Sequence, residues 1–348
     1  MQASLSASFT RTAPLRVRTA AKPRDRVAMR AVAYDKKSKG KPSLVGVIKV
    51  PKHFEHEMDA LVVSHEAHMH DTHVVYNGQE AEEGRPRFLE YYVTKINEVE
   101  DPLDTKVSTP TGHLLYAWNE KYVSAADVDE HMKIGDAKWD QFPKLLKLVK
   151  TNGHFMIAGH GKIVANYNDC SEPCTARKGD TTVSLGLVVP GRLERDVDAA
   201  WRQHERWMRK THDFGEGVHG KYDDLTRPRI TQYTVTKAYE HVDPMDPLSA
   251  KTGNVMYAVE ESYVSHDGVK GHMEIAPPEL DIMKYLTNKS YVRYMDVGQG
   301  HVIAAMPRKL TSNIVSGLGK FFQQIFNPGK VAAYAGGECD PDDCEEAF

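Results

Sequence analysis

Ser64 to His73 reads SHEAHMHDTH, and Gln203 to His212 reads QHERWMRKTH. His65, Glu66, Met69, Thr72 and His73 return as His204, Glu205, Met208, Thr211 and His212, all at an offset of 139 (204 − 65 and 212 − 73). Fixed internal periods outrank other fold signals, because they reveal a unit that the chain uses more than once. Outward from this stretch the copying continues. VTKINEVEDPLD from Val93 returns as VTKAYEHVDPMD from Val235, and TGHLLYAWNEKYVS from Thr111 returns as TGNVMYAVEESYVS from Thr252. His131-Met132 returns as His272-Met273, and AGHGKIVA from Ala158 matches VGQGHVIA from Val297 more loosely.

Within one copy the β-branched run LVGVIKV, closed by Pro51, reads as a strand. Phe54, Met58, Leu61, Val62, His65 and Met69 then recur at helical spacing. Strands follow over 88–98 and 114–123, one or two helices over 127–148, and a last strand over 154–165. The order is β-α-β-β-α-β, written twice, which is that of a ferredoxin-like unit in the α+β class. Such a unit covers one sheet face with helices and must bury the other, so two units are expected to close on each other. The expected organisation is a transit peptide over 1–33, a linker over 34–43 and a first repeat over 44–167. A cysteine-bearing linker over 168–181 leads to a second repeat over 182–310, an amphipathic helix over 311–330 and an acidic tail over 331–348.

With its long first helix after a Val-Pro strand end (Val50-Pro51, Val189-Pro190), the duplicated unit resembles the dimeric α+β barrel superfamily. That group includes antibiotic-biosynthesis-type monooxygenases, EthD-like proteins and stress-responsive A/B barrels. The resemblance implies an intramolecular barrel, and cofactor-independent chemistry on hydrophobic substrates such as aromatics and polyketides. Some members bind haem, for which His65, His73 or their repeats are the axial-ligand candidates.

Positions 65, 69, 72 and 73 share one helix face, so His65 and His73 should be buried and in need of partners. Glu120, Tyr122 and His131 are the candidates in the first copy. For His204 and His212 in the second, they are Glu261, Tyr263 and His272. Such a set suits general acid and base work, because histidine titrates near neutrality. The competing reading is a hydrogen-bonded polar core that fixes helix on sheet. No metal site is read from the helix alone: the H-E-x-x-H pattern fails at Met69, and His65 and His73 stand about 12 Å apart along a helix axis. A His65–His68 pair remains open for the first copy only.

A formal net charge of −3 gives no footprint for nucleic acid, and no apolar run is long enough to span a bilayer. The first 31 residues hold six Arg and one Lys against the single acid Asp25, with many Ser and Ala, which reads as a transit peptide to the chloroplast stroma. Cys170/Cys174 and Cys339/Cys344 form close pairs in polar connections, open to thiol–disulfide exchange, zinc binding or no role at all. An apolar stripe over 314–326 offers a docking helix for a stromal protein partner. Two functions follow: a plastid enzyme or binder acting by acid/base chemistry on a small hydrophobic ligand, or a redox-switched stromal scaffold.

Overall fold

The computed structural model describes residues 38–76, 84–103, 108–167, 176–214, 224–246 and 248–306. The segment read as a transit peptide, Cys170, Cys174, Cys339, Cys344, the 314–326 stripe and the acidic tail lie outside the described residues.

The first half runs β1 (Pro42–Pro51), α1 (Glu55–Thr72), β2 (Val74–Val75), β3 (Arg87–Val99), β4 (Pro110–Tyr122), α2 (Ala125–Lys138), α3 (Phe142–Asn152) and β5 (Gly153–Asn166). The second half repeats the order with β6 (Thr181–Pro190), α4 (Glu194–Thr211), β7 (Asp213–Phe214), β8 (Arg229–His241), β9 (Lys251–Tyr263), α5 (His266–Ile275), α6 (Met283–Leu286) and β10 (Val292–Ala305). β1 begins at Pro42, inside the segment read as linker, and 176–180 is packed as well. The Asp180 carboxylate accepts hydrogen bonds from Thr231 Oγ1 at 2.6 Å and the Arg177 amide at 2.9 Å.

Each half orders its long strands last, first, third, second (β5-β1-β4-β3 and β10-β6-β9-β8). The halves then join twice in antiparallel register, β5 to β8 (Lys162↔Lys237) and β10 to β3 (Gly300↔Ile96), so eight long strands close into a ring. Closure removes the unpaired edges that an open sheet would present. It also explains the duplicated glycines. A Cβ on Gly161 would lie 2.5 Å from the Ile157 methyl and 2.7 Å from that of Thr236, across the first seam. One on Gly300 would lie 2.5 Å from the Asp296 carboxylate and 2.8 Å from Ile96, across the second.

Both sheet faces are covered, which is why β1 and β6 are apolar almost without alternation. Val45, Val47, Leu115, Phe155, Met256 and Tyr294, from both halves, pack inside the ring. Outside it each half has its own core between sheet and helices, around Met58, Leu61 and Met69 in one and Val197, Trp201 and Met208 in the other. The start of each first helix is tied down by an E-x-x-x-D pair. Lys95 bonds Glu55 (3.0 Å) and Asp59 (2.8 Å), and Lys237 bonds Glu194 (2.9 Å) and Asp198 (2.8 Å). Ser124 and Ser265 cap α2 and α5 by accepting the amides of Asp127 and Gly268. No described helix is long and apolar enough to cross a membrane.

Candidate functional site

The helix face that carries His65 and His73 is turned onto the sheet, and β4 and α2 bring the partners to it. His65, His73, Glu120, Tyr122 and His131 are all buried, as are His204, His212, Glu261, Tyr263 and His272. In the first half His65 Nδ1 meets Tyr91 Oη at 3.1 Å while its Nε2 faces Glu120 Oε1 at 3.8 Å. His131 Nε2 faces Glu120 Oε2 at 3.5 Å, and Tyr122 donates its hydroxyl to the same oxygen. His73 Nε2 contacts His131 Nδ1 at 2.9 Å.

The hydroxyl of Thr72 settles which nitrogens carry protons. Its proton goes to the carbonyl of His68 at 2.6 Å, so the 2.8 Å contact with His73 Nδ1 must be donated by the ring. Neutral His73 then accepts at Nε2, and His131 donates to it from Nδ1. The chain ends at His131 Nε2, which faces Glu120. The second half repeats the relay through Thr211, His212 (2.8 Å) and His272 (3.1 Å). Both nitrogens of His73 and of His212 are thus engaged, so neither is free to ligate a haem iron.

Electrostatics favour neutral rings. Burial, then the neighbouring imidazoles, hold His65 well below the ordinary histidine range and His73 at about 2. Burial likewise lowers His204, takes His212 to about 2 and His272 to about 3, and pushes Glu261 up to about 7.

A cavity of about 330 Å³ opens between sheet and helices in the first half, within the range of small-molecule sites. His65, Glu120 and His131 are on its wall, whereas His73 and Tyr122 stand behind them. Most of the rest is apolar, including Trp118, Trp139 and Phe142. His68 is on the wall too. Its Nε2 and the Trp118 Nε1 are buried with no hydrogen-bond partner among the described residues. The corresponding cavity in the second half is about 200 Å³, with His204, Glu261 and His272 on its wall. Each half contributes to the other's cavity at equivalent loop positions: Met245 lines the first and Leu103 the second.

Trp139 and Tyr91 carry no signal in the histidine stretch, yet Trp139 packs 4.8 Å from the His65 ring. Tyr91 and Tyr233 each stand two residues before a duplicated V-T-K, and that spacing was the available clue. His68 does not pair with His65 as a ligand; the rings are 6.5 Å apart. Three ligand atoms that do converge, within 4.8 Å of one another, belong to His65, Glu120 and His131, with His204, Glu261 and His272 as the second set. They come from three elements, beyond the reach of any one-helix pattern.

No family model matches the chain, and no curated protein matches it. Among solved structures, a "putative monooxygenase" of Fusobacterium nucleatum is similar at 11% identity and a TM-score of 0.41, covering 77% of this chain and 95% of its own. An anthrone oxidase-like protein is similar at 9% identity and a TM-score of 0.42, covering 79% and 97%. Likenesses of this size leave the chemistry to be argued from the residues.

Proposed function

We propose that the chain binds a small hydrophobic molecule bearing a hydrogen-bond acceptor in the first-half cavity, and acts on it by proton transfer at Glu120 and His131. The observation that carries this reading is the union of an apolar, ligand-sized space with the His65–Glu120–His131 wall. Trp118 and His68 stand on the same wall. In the acid/base role His131 Nε2 is the exchanging atom, since Nδ1 is committed to His73. Glu120 shares that proton, held in place by Tyr122. His73, Tyr91 and Tyr122 position the three groups that meet the ligand. Cyclase, lyase, isomerase or cofactor-independent monooxygenase chemistry would each use such a proton exchange. We read the two halves as ferredoxin-like repeats forming a one-chain version of the dimeric α+β barrel, a reading supported by their strand order, and the N-terminal segment as directing the protein to the chloroplast stroma.

The test uses benzoylacetone, a hydrophobic 1,3-diketone, in deuterated water. Saturable binding and protein-dependent exchange at its acidic carbon are expected, with exchange falling by about 100-fold or more in Glu120→Gln. Leu145→Trp, which fills the cavity from its rim, should abolish binding. Exchange that both variants leave intact would sink the reading.

A further inference from the structure

At the centre of the first-half site, two imidazole nitrogens and a carboxylate are turned towards one another with no hydrogen bond among them. The Thr72–His73–His131 relay commits His131 Nδ1 to His73 and leaves Nε2 facing the Glu120 carboxylate at 3.5 Å. His65 Nε2 faces the other carboxylate oxygen at 3.8 Å. Neither separation is a hydrogen bond, and among the described residues neither Nε2 has one. A buried confrontation of this kind needs a positive centre between its members, either a proton or a metal ion.

The spacing fits the larger of the two. Bonds of about 2.0–2.2 Å to a tetrahedral ion put its ligand atoms roughly 3.3–3.6 Å apart. The observed 3.5 and 3.8 Å approach that span, with all three atoms inside 4.8 Å. Outer partners have the form that metal-bound histidines require, in which the second ring nitrogen is held. His65 Nδ1 is held by Tyr91, His131 Nδ1 by His73, and the carboxylate by Tyr122. Two imidazoles and one carboxylate, with their open side on a cavity, form a donor set suited to zinc or non-haem iron.

We propose that His65 Nε2, His131 Nε2 and Glu120 hold one divalent transition-metal ion at the wall of the first-half cavity, with its remaining positions open to the ligand. This rests on the reading above for access from the cavity, but with the ion bound Glu120 and His131 would hold it instead of exchanging a proton, so the two readings describe the loaded and the metal-free chain. The ion takes the place of the proton that Glu120 and His131 otherwise share, and that proton leaves to solvent. The second set is less well arranged. Glu261 lies 3.9 Å from His204 Nε2, and the nearest His272 nitrogen, also at 3.9 Å, is the Nδ1 already committed to His212.

The test is calorimetric titration of the chelator-treated full chain with cobalt(II) and then zinc(II), with cobalt's visible absorption as the reporter of imidazole and carboxylate ligation. One equivalent should bind and release a proton, detected from the dependence of the heat on the buffer. Glu120→Gln and His65→Ala should lose the tight equivalent, and Tyr122→Phe should weaken it about 10- to 100-fold. Glu120→Gln is close to isosteric, and circular dichroism of each variant separates loss of ligand from loss of fold. Wild-type binding no tighter than that of folded Glu120→Gln would overturn the proposal. Leu145→Trp keeps the two readings apart: it should block benzoylacetone and leave the cobalt spectrum unchanged. An ion bound by a chain that never binds the diketone would remove the cavity reading and leave the metal site standing.

Discussion

In the first half His68 stacks on Trp139, at 5.7 Å and 19°, beside a cavity of about 330 Å³. In the second half the position of His68 is Trp207, whose ring lies 5.1 to 5.4 Å from His204, His212 and His272, and the position of Trp139 is Leu280, beside about 200 Å³. Behind these walls the hydrogen bonds of the two sites match, down to the 2.8 Å contact between threonine and histidine, and the approach of His131 and His272 to their glutamates is what differs. What the halves share is therefore what helix, sheet and relay need in order to pack. What they do not share is the cavity lining.

The shared part is broken most severely by removing the carboxylate. Glu120→Ala and Glu261→Ala each leave a buried tyrosine hydroxyl, that of Tyr122 or Tyr263, without its acceptor, and each should cost about 2 kcal/mol of unfolding free energy in urea. Similar losses in both are expected, since the polar scaffold is the same. A loss confined to one half would show that only that half depends on its relay.

Acid attacks the same scaffold. His65, His73, His204, His212 and His272 are depressed by burial, so the unfolded chain takes up protons below pH 6.5 that the folded chain refuses, and stability falls as pH drops. Glu260, Glu261 and Asp296, each raised to about 7 by burial, work in the opposite direction, losing stability as pH rises from their unfolded values through 7. These five imidazoles, with His68 and His301 lowered by burial as well, outweigh the three carboxylates in acid and leave a broad optimum near neutrality, with a loss on the order of 1–2 kcal/mol per pH unit below about pH 6. Denaturant midpoints between pH 5 and 8 read this directly, and a protein more stable at pH 5 than at 7 would refute the neutral relay.

Exchanging the walls sharpens the comparison. His68→Trp gives the first site the second's cover and should weaken benzoylacetone binding about tenfold or more, near 1.4 kcal/mol, with little change in stability. The smallest effect belongs to the crossed loops. Met245→Ala should weaken the same binding about threefold, well under 1 kcal/mol, whereas Leu103→Ala, which does not line the first cavity, should leave it unchanged.

Duplication made the fold legible, because two copies supply the comparison that one copy lacks. The strand and helix order, the burial of His65 and His73, and their meeting with Glu120, Tyr122 and His131 all follow from what is written twice. Divergence was the illegible part. Arg87 pairs with Asp127 on α2 at 3.0 Å, but its counterpart Arg229 pairs at 2.6 Å with Asp224, just ahead of β8, because Gly268 stands where Asp127 would. The charge is kept and its origin in the chain is not. The cavity follows the same rule, being formed by Trp139, His68 and a loop from the other half that no single stretch places together.

The most direct test is the number of benzoylacetone sites per chain, measured by titration calorimetry on the wild type, on Leu145→Trp and on Met273→Trp, which fills the second cavity. One site, lost in Leu145→Trp and kept in Met273→Trp, is the expected result. Two equal sites, or a site lost only when the second cavity is filled, would contradict it.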